Sequence, residues 1–214
     1  MFRYSSRPVC IRAVRRILLL AGLCGSALFA ASAAPAQAAL ISTSACDASS
    51  LRQPFTRWGD AHWYKLIPGA DFEGSLAGWT LKGGATRTAG SEPFRVTGSA
   101  GSSSILLPPG ASVQSPLTCV NAGYPAFRFF GRNNGLLSTV LVQVIYKDSL
   151  LGLVPLPVGV VALSGSWQPT LRMLTASLVG GLLSGGTAQI AIRFTALTGS
   201  SQIDDVYVDP RMKG

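Results

Sequence analysis

The chain has 214 residues, is 48% hydrophobic and only 13% charged, and carries a formal net charge of +9 with a pI near 10.0. That apolar fraction excludes a disordered polyelectrolyte. The basic excess is concentrated at the start: Arg3, Arg7, Arg12, Arg15 and Arg16 precede residue 39, no acid does, and the rest therefore carries 13 − 9 = +4.

Those arginines lead into an apolar run from Ile17 to Ala31, followed by Ala36-Gln37-Ala38, a small-x-small cleavage site before Ala39. The pattern is that of a secretory signal peptide over residues 1–38, and the run is too short for a membrane anchor, which needs about 20 apolar residues. A secreted, extracellular protein with no membrane span in its mature chain is the expectation. Arg15-Arg16 lacks the flanking residues of a twin-arginine signal, and Leu23 before Cys24 is too bulky for a lipidation site. Beyond the leader, Arg87, Arg95, Arg128, Arg132, Arg172 and Arg193 are spread singly through strand-like segments. Nucleic acid is excluded as a partner on that distribution, since a binder clusters its cations on one element.

Cys10 and Cys24 leave with the leader, and Cys46 and Cys119 remain. An even pair in an exported chain reads as one disulfide, tying an N-terminal extension, residues 39–70, to the body. Its long loop is worth about 4 kcal/mol on the chain-entropy account. The competing reading is two free buried thiols.

Downstream, helical periodicity is hard to find and short alternating runs recur between turn signals, which predicts an all-β domain over residues 71–210 with a tail at 211–214. Strands are expected at Phe94 to Val96, Ser103 to Leu107, Ser112 to Leu117, Ala126 to Phe130, Val140 to Tyr146, Val158 to Leu163, Thr170 to Ala176 and Ile190 to Thr195. Together with the end motifs this is the strand count of a jelly-roll β-sandwich. Leu150 to Leu163 is nearly all apolar, but Pro155, Pro157 and its length favour a hairpin over a membrane segment. With the glycine-rich Ser177 to Thr187 it offers an apolar loop surface for a protein contact or self-association.

The two ends carry the acids. Asp71-Phe72-Glu73-Gly74 with Trp79 opens the domain, and Ile203-Asp204-Asp205-Val206-Tyr207-Val208 closes it. Period-two geometry places Asp204, Val206 and Val208 on one face and Ile203, Asp205 and Tyr207 on the other, so one aspartate must enter the core. A buried carboxylate needs a cation or several donors; Ca²⁺, which takes about six to eight oxygens, and an arginine partner or solvation are the two readings.

These opening and closing motifs, spanning about residues 71 to 210, resemble the galactose-binding-like jelly rolls, especially the carbohydrate-binding modules attached to bacterial glycoside hydrolases. The resemblance implies a structural calcium held by Glu73 and Asp204, with Asp71 and Asp205 as further members, and a glycan partner. Phe127 to Phe130, Trp167 to Thr170 and Gln202 to Pro210 also resemble a set of small secreted bacterial proteins without assigned function.

Sugar-binding modules stack sugars on exposed aromatics. Trp79 and Trp167 sit at strand-like core positions, which leaves Trp63, Tyr64 and Tyr124, beside Trp58 and His62, as candidate ligand contacts. Catalysis has little to build on, because His62 is the sole histidine and no G-x-S-x-G elbow accompanies it. The reading is therefore a secreted, non-catalytic binding module for a glycan or another cell-envelope component. The alternatives are a structural or protein-interaction domain using the apolar loops and a hydrolase using the acidic cluster.

Overall fold

The computed structural model describes residues 51–121, 126–135, 137–148, 151–175 and 187–209. Two antiparallel sheets face each other in a β-sandwich of jelly-roll type. One is built from β1 (Lys65–Leu66), β3 (Thr86–Ala89), β4 (Ser103–Leu107), β7 (Ala126–Asn133), β10 (Gln168–Pro169), β11 (Met173–Leu174) and β13 (Ser201–Asp209), with β7, β13, β4 and β3 in that spatial order. The other runs β2 (Thr80–Lys82), β5 (Ser112–Gln114), β12 (Thr187–Thr198), β8 (Ser138–Asp148) and β9 (Gly152–Leu163), with β6 (Thr118–Asn121) also on β12. The first strand pairs with the last, Lys65 opposite Val208 and Leu66 opposite Tyr207.

Alternation explains the core. Val140, Val142 and Val144 from β8, and Ile190, Ile192 and Phe194 from β12, point inward against Ile105, Leu107, Phe127, Phe129 and Ile203 of the other sheet, all fully buried. Phe129 and Phe194 meet edge to face across the layers, their centroids 4.7 Å apart. The Asp71–Trp79 opening is a turn that plugs the sandwich: Phe72 and Trp79 are buried with ring centroids 4.9 Å apart, and Trp79 Nε1 donates to Pro68 O at 2.9 Å.

Four expectations need correction. Phe94 to Val96 is a turn rather than a strand; the Phe94 and Val96 N–H groups are taken by the Glu92 carboxylate instead of a neighbouring strand, and Arg95 is left-handed at φ 57°. Ser112 to Leu117 shortens to β5, since Pro116 has no N–H to continue the ladder. Thr170 to Ala176 supplies only the two-residue β11, and Ala176 lies outside the described residues. The fourth matters most. Strict alternation fails in β13, where a bulge lies between Asp204 and Tyr207 and Asp205 adopts a left-handed φ of 47°. The extra residue resets the faces, so Ile203, Val206 and Val208 share the sandwich core while Tyr207 joins a second cluster on the outer side.

That second cluster exists because residues 51–66 lie over the outer face of the β7–β13 sheet. Phe55, Tyr64, Phe130, Trp167 and Tyr207 form it, edged by Trp58 and Phe94. The described part of the expected extension is thus built into the body, through β1 and an Arg52–Tyr64 bridge. Cys119 is buried on β6, and Cys46 lies outside the described residues, as do residues 1–38.

Leu150 to Leu163 becomes β9, an edge strand paired with β8 along its length; Leu150 itself lies outside the described residues. Val154, Leu156, Val158, Val161 and Leu163 are half-buried while Leu153, Pro155, Pro157 and Val160 are exposed. Its prolines blunt the free edge. Among the described residues no helix is long and apolar enough to cross a membrane. Of the glycine-rich counterpart, 176–186 lies outside the described residues.

Candidate functional site

The seven-stranded sheet is closed on its outside by charge as well as by aromatic packing. Arg128, on β7 and 6% exposed, donates from Nη1 to Asp60 Oδ2 at 2.8 Å and from Nε to Thr170 O at 2.7 Å, with its guanidinium 4.3 Å from the Phe55 ring centre. Asp60 also accepts from the Tyr64 hydroxyl at 2.7 Å and from the His62 N–H at 3.1 Å. Burial pulls the Asp60 carboxyl upward, but those donors outweigh it and hold the group below its usual range. His62 is clamped between Asp60 and Arg172, Nδ1 at 2.9 Å and Nε2 at 2.8 Å, a packing role with no nucleophile beside it among the described residues. Tyr64 is 0% exposed, so the expectation that it contacts ligand is wrong: its ring packs edge-on to Phe55. Trp63, next to it, remains 51% exposed on the other side of the segment. Tyr124 lies outside the described residues.

At the acidic ends, the structure separates what the sequence grouped. Glu73 is exposed and accepts from Ser102 Oγ at 2.7 Å and Ser103 N at 2.7 Å; these donors and Arg87 overcome the effect of burial and lower its pKa. Asp204 is fully buried and accepts from Ser91 Oγ at 2.6 Å, Glu92 N at 2.9 Å and Asp205 N at 2.9 Å. Asp205 and Glu92 are each 3% exposed, and Glu92 is close enough for its charge to act on Asp205. Burial raises the pKa of both aspartates, and the Asp204 and Glu92 charges push Asp205 further. Asp71 caps its own turn through Glu73 N at 3.4 Å. Both aspartates are buried, not one, because the outer face of β13 is covered. Glu92 is a member that sequence reasoning missed; its only signal was a lone acid before Pro93. Among the described residues no three His, Cys, Asp or Glu side chains form a group that could hold a metal ion.

The six-stranded sheet is different. Its outward positions are buried at Ile145 and Ala191 but half-exposed or exposed in two neighbouring rows set by register: Thr80, Gln114, Arg193, Gln143 and Pro157 in one, and Lys82, Ser112, Thr195, Leu141 and Val160 in the next. At a strand spacing of about 4.8 Å each row is roughly 19 Å wide. Arg193 is oriented by Gln114, whose Oε1 accepts from Nε at 3.1 Å and from Nη2 at 2.8 Å, leaving the Nη1 side of the guanidinium without an acceptor among the described residues. The arrangement can donate several hydrogen bonds to a flat polar chain laid across the sheet.

Carbohydrate-binding modules are among the solved structures whose fold it resembles. The N-terminal endo-1,4-beta-D-xylanase 10B of Clostridium thermocellum, comprising CBM22-1 and GH10 modules complexed with xylohexaose, matches with a TM-score of 0.46 at 18% identity over 68% of this chain and 28% of that one. The N-terminal CBM22-1–CBM22-2 tandem domain from Paenibacillus barcinonensis matches at 0.47 and 11% identity, over 67% of this chain and 44% of that one. The family 11 carbohydrate-binding module from Clostridium thermocellum, in complex with a beta-1,3-1,4-mixed-linked tetrasaccharide, matches at 0.45 and 13% identity, over 71% and 98%. The chain spans less than half of the first two. No protein-family model and no curated protein matches the sequence.

Those likenesses concern the fold alone. In this chain the exposed large hydrophobic side chains among the described residues are aliphatic apart from Trp63, and the outer rows of the six-stranded sheet present Gln114, Arg193 and Gln143 rather than rings. Sequence reasoning missed all three; a period-two count along β5, β8 and β12 places them outward, but only pairing puts them in one row.

Proposed function

We propose that the protein is a secreted, non-catalytic module that binds a glycan or another cell-envelope component on the outer face of its six-stranded sheet. One observation carries the reading: among the described residues, the opposite sheet has its outer face covered by residues 51–66, whereas this one presents the row Gln114, Arg193 and Gln143 half-exposed. Donors held by a rigid sheet lose little freedom on binding. Affinity electrophoresis through gels containing a panel of polysaccharides tests it. The double variant Gln114→Ala/Gln143→Ala is expected to lose about tenfold or more in affinity, while Trp63→Ala changes it less than threefold. Retardation that depends on Trp63 and ignores the row would move the site to the N-terminal segment.

Calcium is a proposal for a smaller edge than the four-carboxylate set. Gly101 stands between Glu73 and the serine that holds Asp204: a Cβ there would collide with Ser91 Oγ and lie 2.9 Å from Glu73 Oε1, and Ser91 Oγ donates to Asp204. Two carboxylates and a hydroxyl are hard oxygen donors of the class Ca²⁺ prefers. Millimolar Ca²⁺ over a micromolar site raises stability by about 4 kcal/mol, so the melting temperature is expected to rise with Ca²⁺ and to fall in chelator. An unmoved transition removes the cation from the account.

A further inference from the structure

The two faces of the sandwich differ in charge far more than the chain's average shows. Asp60 is bound to Arg128 of β7, Glu73 to the start of β4, Glu92 to Asp204, and Asp71 lies close enough to Asp205 to act on its titration; Asp204, Asp205 and Asp209 are on β13. Seven of the nine acids of the chain thus belong to one sheet and the segments packed on it.

The outward positions of the other sheet hold none. Leu81 packs inward, so Thr80 and Lys82 of β2 point outward; Val140, Val142, Val144 and Tyr146 of β8 point inward, so Leu141, Gln143 and Lys147 point outward. By the same alternation Arg193 and Thr195 are outward on β12. Among the residues whose side chains are described, Lys82, Arg193 and Lys147 are the charges on this face, and no carboxylate stands with them. Lys82 and Lys147 are exposed. Arg193 has two of its N–H groups on the neutral Gln114 amide oxygen, and its Nη1 edge keeps the planar fork that pairs with an oxyanion. A neutral sugar chain would not need a sheet cleared of acids.

We infer that this face selects acidic polysaccharide, a sugar chain bearing carboxylates or sulfates, with Arg193 pairing to the anionic group and Lys82 and Lys147 adding attraction along the chain. The inference rests on the glycan reading and specifies its ligand class. Gln114 is the positioning residue, since it turns the guanidinium; Gln143, opposite Arg193, is placed to donate to sugar hydroxyls.

The test is affinity electrophoresis of the full chain at two salt concentrations in gels containing polygalacturonate, fully methyl-esterified polygalacturonate, dextran sulfate or polyglutamate. Binding to polygalacturonate is expected to be about tenfold tighter than to its neutral ester and to weaken with salt. Arg193→Gln is expected to remove most of that preference, the exposed Lys82→Gln to reduce it by about threefold, and Arg172→Gln, on the opposite layer, to leave it unchanged. Dextran sulfate separates the sources: retardation there as well as on polygalacturonate assigns the oxyanion, and retardation on polygalacturonate alone assigns the uronate. Equal binding of ester and acid would overturn the acidic preference while leaving glycan binding intact. Equal retardation by polyglutamate would overturn it as mere charge attraction. No retardation by any polysaccharide would overturn the proposed function and this inference with it.

Discussion

Arg128→Met is expected to destabilise the fold by about 4 kcal/mol, read as a lowered urea midpoint with unchanged slope. The guanidinium is 6% exposed and has three partners in different segments: Asp60 of the covering layer, the carbonyl of Thr170 and the face of Phe55. Methionine fills the volume but leaves the Asp60 carboxylate facing a covered sheet without its counter-charge. The cost is that of an unpaired charge rather than of a lost attraction, so Asp60→Asn combined with Arg128→Met should recover part of the loss. The direction with pH follows from the lowered Asp60 pKa. Its contribution is present above the ordinary carboxylate pKa and disappears as pH falls through the depressed value. A loss below about 1 kcal/mol would mean that residues 51–66 rest loosely on the sheet.

Asp205→Asn is expected to stabilise the protein by about 3 kcal/mol at about pH 8 in the presence of chelator, and to do almost nothing near pH 4. Burial, reinforced by the Asp204 and Glu92 charges, raises the Asp205 pKa. A carboxyl whose folded pKa lies above its unfolded value favours the folded state at low pH, and that advantage drains away as pH rises from the ordinary carboxylate range toward the raised value. Wild-type stability should therefore fall between about pH 5 and about pH 8, and the variant should flatten the curve. Asparagine suits the site twice: it brings no charge into a buried position, and it tolerates the left-handed φ of 47° that Asp205 adopts. A variant that melts lower than wild type at high pH would show that the carboxylate is required ionised, as a cation ligand is.

How the residues divided between legible and illegible is instructive. The strands over Ser103–Leu107, Ser138–Asp148 and Thr187–Thr198 were readable because each buries one side, which writes a period of two into the sequence. The burial of Trp79 and Trp167 was readable from their strand-like positions, whereas the partner of the last strand is Lys65–Leu66 of the expected extension and not the Asp71–Trp79 opening. Tyr64 was misread because its environment is made by Phe55 and Asp60 in the same segment and Phe130 and Tyr207 from distant strands. The face assignment of Asp204 and Asp205 failed for a local reason with a tertiary cause: one extra residue in β13 inverts the alternation, and no residue type announces a bulge whose left-handed position is an aspartate.

The sequence by itself determined an all-β sandwich, since alternation and turn residues are local and survive without knowledge of neighbours. It also determined that the acids would be few and that histidine chemistry would be scarce. Only the tertiary structure decided which sheet face is covered, which acids meet, and that Gln114, Arg193 and Gln143 stand in one row. Those are facts of register and layering. Three strands far apart in the chain, offset by a single residue, would have turned the same side chains into the core.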